Sequence, residues 1–364
     1  MKRSQLRSST LFFSIFLLFS PSILISTAGA QDYSMYLNKI GECNFVVGYD
    51  VSVAGDYAYV TNNDGVMIVD VSNPSHPTKV SEILTGNAPF SVKVADNMCF
   101  AAFLSGEIRV HNVSDPLHPE LIASTTPVSG VSTGIVVNNS YVFVSFREFG
   151  YRIFNFTGTS LDLVFSYADS RGEAIAVRND ILYFGNPNSG IKVFNISTIT
   201  TPSYIRTISS GTSVWDMHIN EDFLYLGCHG AGIRIYSLSN PTNPALLRSM
   251  SEDDGGEAQG VVANSTHLFV ADNWGVEAYN MSNPSFPVEV AEVTDGIGAA
   301  HDIDMDNQCV YVALGGGLEI FELSATKSNY FPPFLYYVIP ISAVVLGVGI
   351  FLLIRLRKRK KLKV

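Results

Sequence analysis

Apolar positions along this chain recur in short runs cut by polar turns. From Gly65 to Pro77 the chain reads GVMIVDVSNPSHP, an apolar and β-branched run leading into Asn, Ser and Pro. That pattern predicts a β-strand followed by a tight turn. It returns as GEIRVHNVSDPLHP from Gly106, GYRIFNFTGTS from Gly150, GIKVFNISTITTP from Gly190, GIRIYSLSNPTNP from Gly232, GVEAYNMSNPSFP from Gly275 and GLEIFELS from Gly317. The residues that close each copy are Ser72, Ser114, Thr157, Ser197, Ser239, Ser282 and Ser324. They stand about 40 to 43 residues apart, a period that marks propellers and arrays.

One period resolves into four short strands. In the first, these are Asp50 to Ala54, Tyr57 to Thr61, Val66 to Val71 and Lys79 to Leu84, separated by turns rich in Gly, Asn, Asp and Pro. Four antiparallel strands per period predict one propeller blade. The second strands (YAYV at 57–60, YVFV at 141–144, ILYF at 181–184, FLYL at 223–226, HLFV at 267–270, CVYV at 309–312) are apolar on both faces. Strands covered on both sides read that way. The last copy stops after three strands, whereas Met35 to Glu42 (MYLNKIGE), ahead of the first blade, resembles a fourth. Pairing that segment into the last blade closes a ring and removes its open edges. The expected fold is therefore all-β: a seven-bladed β-propeller over 31–324, closed by an N-terminal strand.

The two ends follow other patterns. Residues 1–30 carry Lys2, Arg3 and Arg7, an apolar run from Leu11 to Phe19 and an Ala28-Gly29-Ala30 site, the signature of a secretory signal peptide. Phe334 to Ile354 is uncharged and long enough to span a bilayer as a helix. Seven basic residues in 355–364 mark the cytoplasmic side of that span. The reading is a signal peptide (1–30), a propeller ectodomain (31–324), a juxtamembrane linker (325–333), a transmembrane helix (334–354) and a basic cytoplasmic tail (355–364). The chain is thus expected in the cell membrane as a single-pass protein, ectodomain outside. The third strand of the last blade would end on the membrane side, holding the opposite face outward.

Charge sharpens this. Of 23 basic residues, three lie in the first thirty positions and seven in the last ten, leaving 13 in the ectodomain against all 33 acidic ones, a net of −20. Such a surface argues against nucleic acid as a partner. The four cysteines (Cys43, Cys99, Cys228, Cys309) are too few and too scattered for a disulfide scaffold or a metal knuckle. Cys99 and Cys309 share a repeat position that suits free core thiols, and no disulfide pairing follows from their spacing.

Candidate chemistry gathers where the copies differ. The residues leading into each first strand are Tyr49, Phe90, Thr133, Glu173, Trp215, Gln259 and His301. Aromatic, acidic and imidazole groups around one mouth would suit a sugar, a peptide or a small ligand. The next position holds Asp50, Asp216 and Asp302, which could meet near the axis and hold a cation such as calcium, or else accept backbone N–H bonds. No other cofactor is implied. Asp302, Asp304 and Asp306 resemble the start of a calcium loop but lack its Gly and its closing Glu. Lys93, His218 and Asp304 are expected to line the channel. Trp274 sits in an outward turn as a further contact residue. Six Asn-x-Ser/Thr sequons begin at Asn112, Asn138, Asn155, Asn195, Asn264 and Asn280, and in a secreted chain they read as glycan acceptors. Nucleophile-elbow, zincin, dithiol, P-loop and dinucleotide signatures are all missing.

The unit VMIVDVSNPSHP at 66–77, and YDVSVAGDYAYVTNNDGVMIVDVSNP at 49–74, resemble the LVIVD-repeat family. The resemblance covers about residues 47–324 and is most specific in blades one, two, five and six. Gly158-Thr159 in blade three and Ile199-Thr200 in blade four replace the Asn-Pro turn. The resemblance implies a β-propeller on a secreted or surface-anchored prokaryotic protein, with no catalytic residue carried over. The family's acidic position is kept as Asp70 but is Asn112, Asn155, Asn195 and Asn280 in other copies. Together these readings lead to a membrane-anchored surface binding or adhesion protein that recognises a protein, peptide or glycan. The alternative is an extracytoplasmic hydrolase or lyase with its site at the channel mouth.

Overall fold

The computed structural model describes residues 34–328, apart from 128–129, 189, 252–255 and 295–297. The expected signal peptide, transmembrane helix, basic tail and most of the expected juxtamembrane linker lie outside the described residues. Among the described residues no helix is long and apolar enough to cross a membrane.

Among the described residues, twenty-eight strands, β1 to β28 in chain order, form seven four-stranded antiparallel sheets. Blade 1 contains β2 (Val51–Ala54), β3 (Tyr57–Thr61), β4 (Gly65–Asp70) and β5 (Thr78–Leu84), within a residue or so of the bounds the turns predict. Blades 2 to 6 repeat this order, and their innermost strands are β6 (Pro89–Ala95), β10 (Ser132–Asn138), β14 (Ala174–Arg178), β18 (Asp216–Asn220) and β22 (Gly260–Ala263). Blade 7 is assembled from both ends of the propeller: β26 (Ala300–Met305), β27 (Val310–Leu314), β28 (Gly317–Ser324) and then β1 (Tyr36–Asn44). Tyr36 pairs with Ser324 and Asn44 with Gly317, so the ring closes through the N-terminal strand as the truncated last copy predicts. In all seven sheets the outermost strand carries one bulge at the same level. It lies opposite Ile68/Val69 in blade 1 and at Lys39/Gly41 in β1, so the borrowed strand copies the repeat even in its irregularity.

Period-two alternation explains the core. Val310, Val312 and Leu314 of β27 pack into a cluster with blade 6, while Cys309, Tyr311 and Ala313 pack into one with blade 1. Successive side chains on a strand point to opposite faces, so each central strand serves two seams. Seven buried apolar clusters result, one at each seam between neighbouring blades. All four cysteines are free thiols; Cys99, Cys228 and Cys309 are buried, which pushes their thiols up to about 12, 12 and 11.

Two sequence features acquire a physical reason. In five blades the Gly that opens the third strand (Gly65, Gly150, Gly190, Gly275 and Gly317) lies against the outermost strand: a Cβ on Gly65 would stand 1.8 Å from the Ile83 carbonyl oxygen, and one on Gly317 would stand 2.3 Å from that of Cys43. The residue that ends the third strand closes a turn. Asp70, Asn112, Asn195 and Asn280 each accept the N–H of the residue two further on, and Ser237 does so through its hydroxyl. Asp, Asn and Ser all perform this task, so the turn does not require the carboxylate of Asp70.

Leu37 is 6% exposed within the blade 6/7 cluster. Leu37→Ala is expected to cost about 2–5 kcal/mol, and deletion through Asn44 to lower the melting temperature far more, by baring the β28 edge. A deletion variant that melts with the parent in calorimetry would refute ring closure by β1. Gly65→Ala is expected to destabilise by about 1–3 kcal/mol from overpacking, measured as a shift in the urea midpoint.

Candidate functional site

The seven innermost strands surround an axial cavity of about 560 Å³. Tyr49, Phe90, Thr133, Glu173, Trp215, Gln259 and His301 all line it, as do Asp50, Asp216, Asp302, Lys93, His218 and Asp304. Residues up to about 250 positions apart are thus brought around one opening because they occupy the same step of the repeat. Trp274 is set apart: it is 53% exposed on a turn stabilised by Asp272 and does not line the cavity. The six sequon asparagines are all half-buried, away from the cavity lining.

The mouth is a polar network with aromatic faces. Glu173, only 3% exposed, holds Arg147 at 3.2 Å and has Arg171 at 3.7 Å. Tyr49 donates its hydroxyl to Asn63 (2.7 Å) and lies 6.0 Å from the His301 ring, and His301 Nδ1 is 3.4 Å from Gln259 Oε1. The Trp215 indole stacks on His229 at 4.9 Å and 24°, and His229 Nε2 meets Glu257 at 2.9 Å. Trp215 was legible in the repeat alignment. The Arg147 and His229–Glu257 partnerships were not, since they join loops of different blades.

Below the mouth the acids clasp neighbouring blades. Asp302 accepts Val51 N–H (3.0 Å), Asp304 accepts Val53 N–H (2.8 Å), Asp50 accepts Val92 N–H (3.3 Å) and Asp216 accepts Val261 N–H (2.9 Å). Ser52 and His218, two residues beyond Asp50 and Asp216, bond the same neighbours at Val94 N–H and the Ala263 carbonyl. These bonds match the alternative expectation for the three acids, acceptance of backbone N–H groups. Each carboxylate is turned onto the next strand, and among the described residues no three His, Cys, Asp or Glu side chains converge to hold a metal ion. The Asp302-x-Asp304-x-Asp306 run likewise divides, for Asp306 accepts the N–H groups of Gln308 and Cys309 and the Tyr311 hydroxyl.

These carboxyls sit in the narrow cavity wall, where the charged form is poorly solvated. Burial pushes Asp50 up to about 7 and Asp216 up to about 6. Burial and the adjoining Asp50 and Asp216 raise Asp302 well above the usual carboxylate range. Among the described residues lining the cavity, Lys93, 3.9 Å from Asp304, is the lone ammonium. Burial holds His218 and His301 below the ordinary imidazole value.

Comparison with known proteins agrees with this architecture. The molecule is a β-propeller repeat protein. The LVIVD repeat matches residues 48–85, 211–251 and 255–295, which are blades 1, 5 and 6; blade 2 is outside the matched stretches although its sequence resembles the repeat. The chain carries LVIVD repeats, and its seven blades are consistent with an LVIVD-repeat propeller. Its fold is similar to the β-propeller domain of Cps50 (Swd1) from Myceliophteria thermophila, with TM-score 0.66 and 11% identity over 79% of this chain and 99% of that one. It is also similar to the computationally designed Ika8 protein, with TM-score 0.58 and 9% identity over the same shares. At such identities the likeness extends to fold alone. No curated protein matches the chain.

A carboxyl whose folded pKa is raised contributes stability that is full below its unfolded pKa, near 3.9, and is lost as pH rises through the folded value. The clasp carboxyls should therefore make the chain lose stability between about pH 4 and about pH 7. Asp50→Asn keeps an acceptor for Val92 and stays neutral, so it should flatten that slope. Urea midpoints at about pH 5 and about pH 8 check this; identical slopes in parent and variant would count against it.

Proposed function

We propose that this chain is a surface-displayed binding protein that takes a glycan or peptide, or a segment of a partner protein, at the mouth of its axial cavity. One observation supports the reading above others: the non-repeating residues Tyr49, Phe90, Glu173, Trp215, Gln259 and His301 converge on an open cavity of about 560 Å³. Binding pockets are concave, with aromatic area and a few polar groups that fix orientation. The ends of the sequence supply the display. A secretion signal, an uncharged segment at 334–354 and a basic tail suit a single membrane anchor. Strands in a blade alternate in direction, so β28 leaves the propeller on the face opposite the mouth, and an anchor there holds the mouth outward.

A hydrolase or lyase acting in the same cavity is the second reading. It is favoured by the raised carboxyls of Asp50 and Asp302 beside His301, since a carboxyl that keeps its proton toward neutrality serves as a general acid.

Purified chain applied to glycan and peptide arrays is expected to retain a defined subset of probes, and Trp215→Ala to weaken that retention at least about tenfold, the scale of losing a buried aromatic contact. Absence of retention on every array would remove the binding reading. Cleavage of a retained probe, seen by mass spectrometry and abolished by Asp302→Asn, would favour the second.

A further inference from the structure

We infer that Trp215, backed by His229 and Glu257, is a stacking platform for an uncharged sugar ring. This deepens the binding reading above and rests on it. One face of the indole is covered by the His229 imidazole at 4.9 Å and 24°. Trp215 nevertheless remains 37% exposed and lines the cavity. A large aromatic face is thus held open to the mouth rather than packed away.

The backing is built from two blades. His229 donates its N–H to the Ala258 carbonyl (3.0 Å) and pairs through Nε2 with Glu257 (2.9 Å), while the Glu257 N–H is taken by Asn273 (2.7 Å). The backbone of His229 is left-handed, with φ 52. Asp96, Asn97, Asn139, Asn179 and Glu221 share that conformation, but they occupy the hairpin turns between first and second strands. Among the described non-glycine residues, His229 alone adopts it in a turn on the mouth side. A β-turn position that favours Gly or Asn instead carries the ring that supports the indole.

The surroundings select the ligand. Glu173 and Gln259 stand in the same row on the flanking blades, and His301 lies beyond Gln259. Sugar hydroxyls donate and accept, so they can satisfy carboxylate, carboxamide and imidazole alike, while the C–H face of a pyranose covers the indole. An aromatic peptide side chain would cover the indole but could add no hydrogen bonds to this polar row, whereas a sugar's hydroxyls could. The ectodomain's net charge of −20 disfavours an acidic sugar.

The chain has two tryptophans, Trp215 and Trp274, so Trp274→Phe in the full chain leaves Trp215 as sole reporter. Cellopentaose, chitopentaose, mannopentaose and maltopentaose are titrated against its emission and its quenching by acrylamide. At least one should shift the emission and protect the indole. Adding His229→Asn, which tolerates the left-handed backbone but lacks the ring, should weaken that response about tenfold at unchanged melting temperature. An unchanged affinity overturns the backing role. A response to Gly-Phe-Gly and to none of the pentasaccharides overturns the sugar assignment. A silent Trp215 in a chain that still captures array probes overturns the platform and leaves the binding reading standing; a silent Trp215 with empty arrays removes both.

Discussion

The pairing of β1 with β28 is the constraint on which everything else rests. A blade whose strands are apolar on both faces cannot stand alone in water, because each sheet needs a neighbour on either side. Seven blades in a row would still leave one apolar face bare at each end. The ring abolishes both bare faces at once, and its last seam joins Tyr311 and Ile320 to Val60 and Val69. The cost is loop-closure entropy over nearly the whole propeller, which grows only slowly with length. The gain is an entire buried cluster, supplemented by the two carboxylate bonds that Asp302 and Asp304 make to β2.

Closure also creates the cavity, and the cavity sets the chemistry of its wall. Innermost strands approach so closely that a Cβ on Gly260 would stand 2.9 Å from Asp302 Cα. Backbone N–H groups on the exposed side of each strand then need acceptors, and side chains of the preceding blade supply them. Asp and Ser side chains accept these N–H groups, and His218 bonds the Ala263 carbonyl beside Asp216, so the axis carries polar groups for structural reasons. Their setting nonetheless has a chemical consequence. Carboxyls that accept N–H bonds usually ionise readily, yet here poor solvation and mutual repulsion outweigh those bonds and hold protons on them toward neutrality.

The sequence made the scaffold legible because repetition multiplies weak signals. A single GVMIVDVSNP run is an ordinary strand and turn; seven copies at one spacing define the blade, its count and the missing strand. The mouth was legible by the same device, since residues at one repeat step must share one level of the ring. What stayed hidden was any relation between loops of different blades. Nothing in the sequence ties His229 to Glu257, or Arg147 to Glu173, because partners across a seam follow no fixed spacing. The direction in which Asp50, Asp216 and Asp302 turn was hidden too: a carboxylate near an axis can meet a cation or a neighbouring strand, and only the strand separation decides between them.

Division of labour within the repeat follows. Positions that every copy must satisfy are filled interchangeably, as Asp70, Asn112, Asn280 and Ser237 show by closing the same turn with different oxygens. Such positions are selected by geometry and carry little information about a ligand. The mouth row is the opposite case. It holds Tyr49, Phe90, Thr133, Glu173, Trp215, Gln259 and His301, seven different side chains at one structural step. A scaffold indifferent to residue type at a position, combined with chemically distinct groups there, is the arrangement on which the proposed binding reading rests. A symmetric backbone presenting an asymmetric ring of side chains can hold a ligand in one orientation out of seven, which a ring of identical residues could not do.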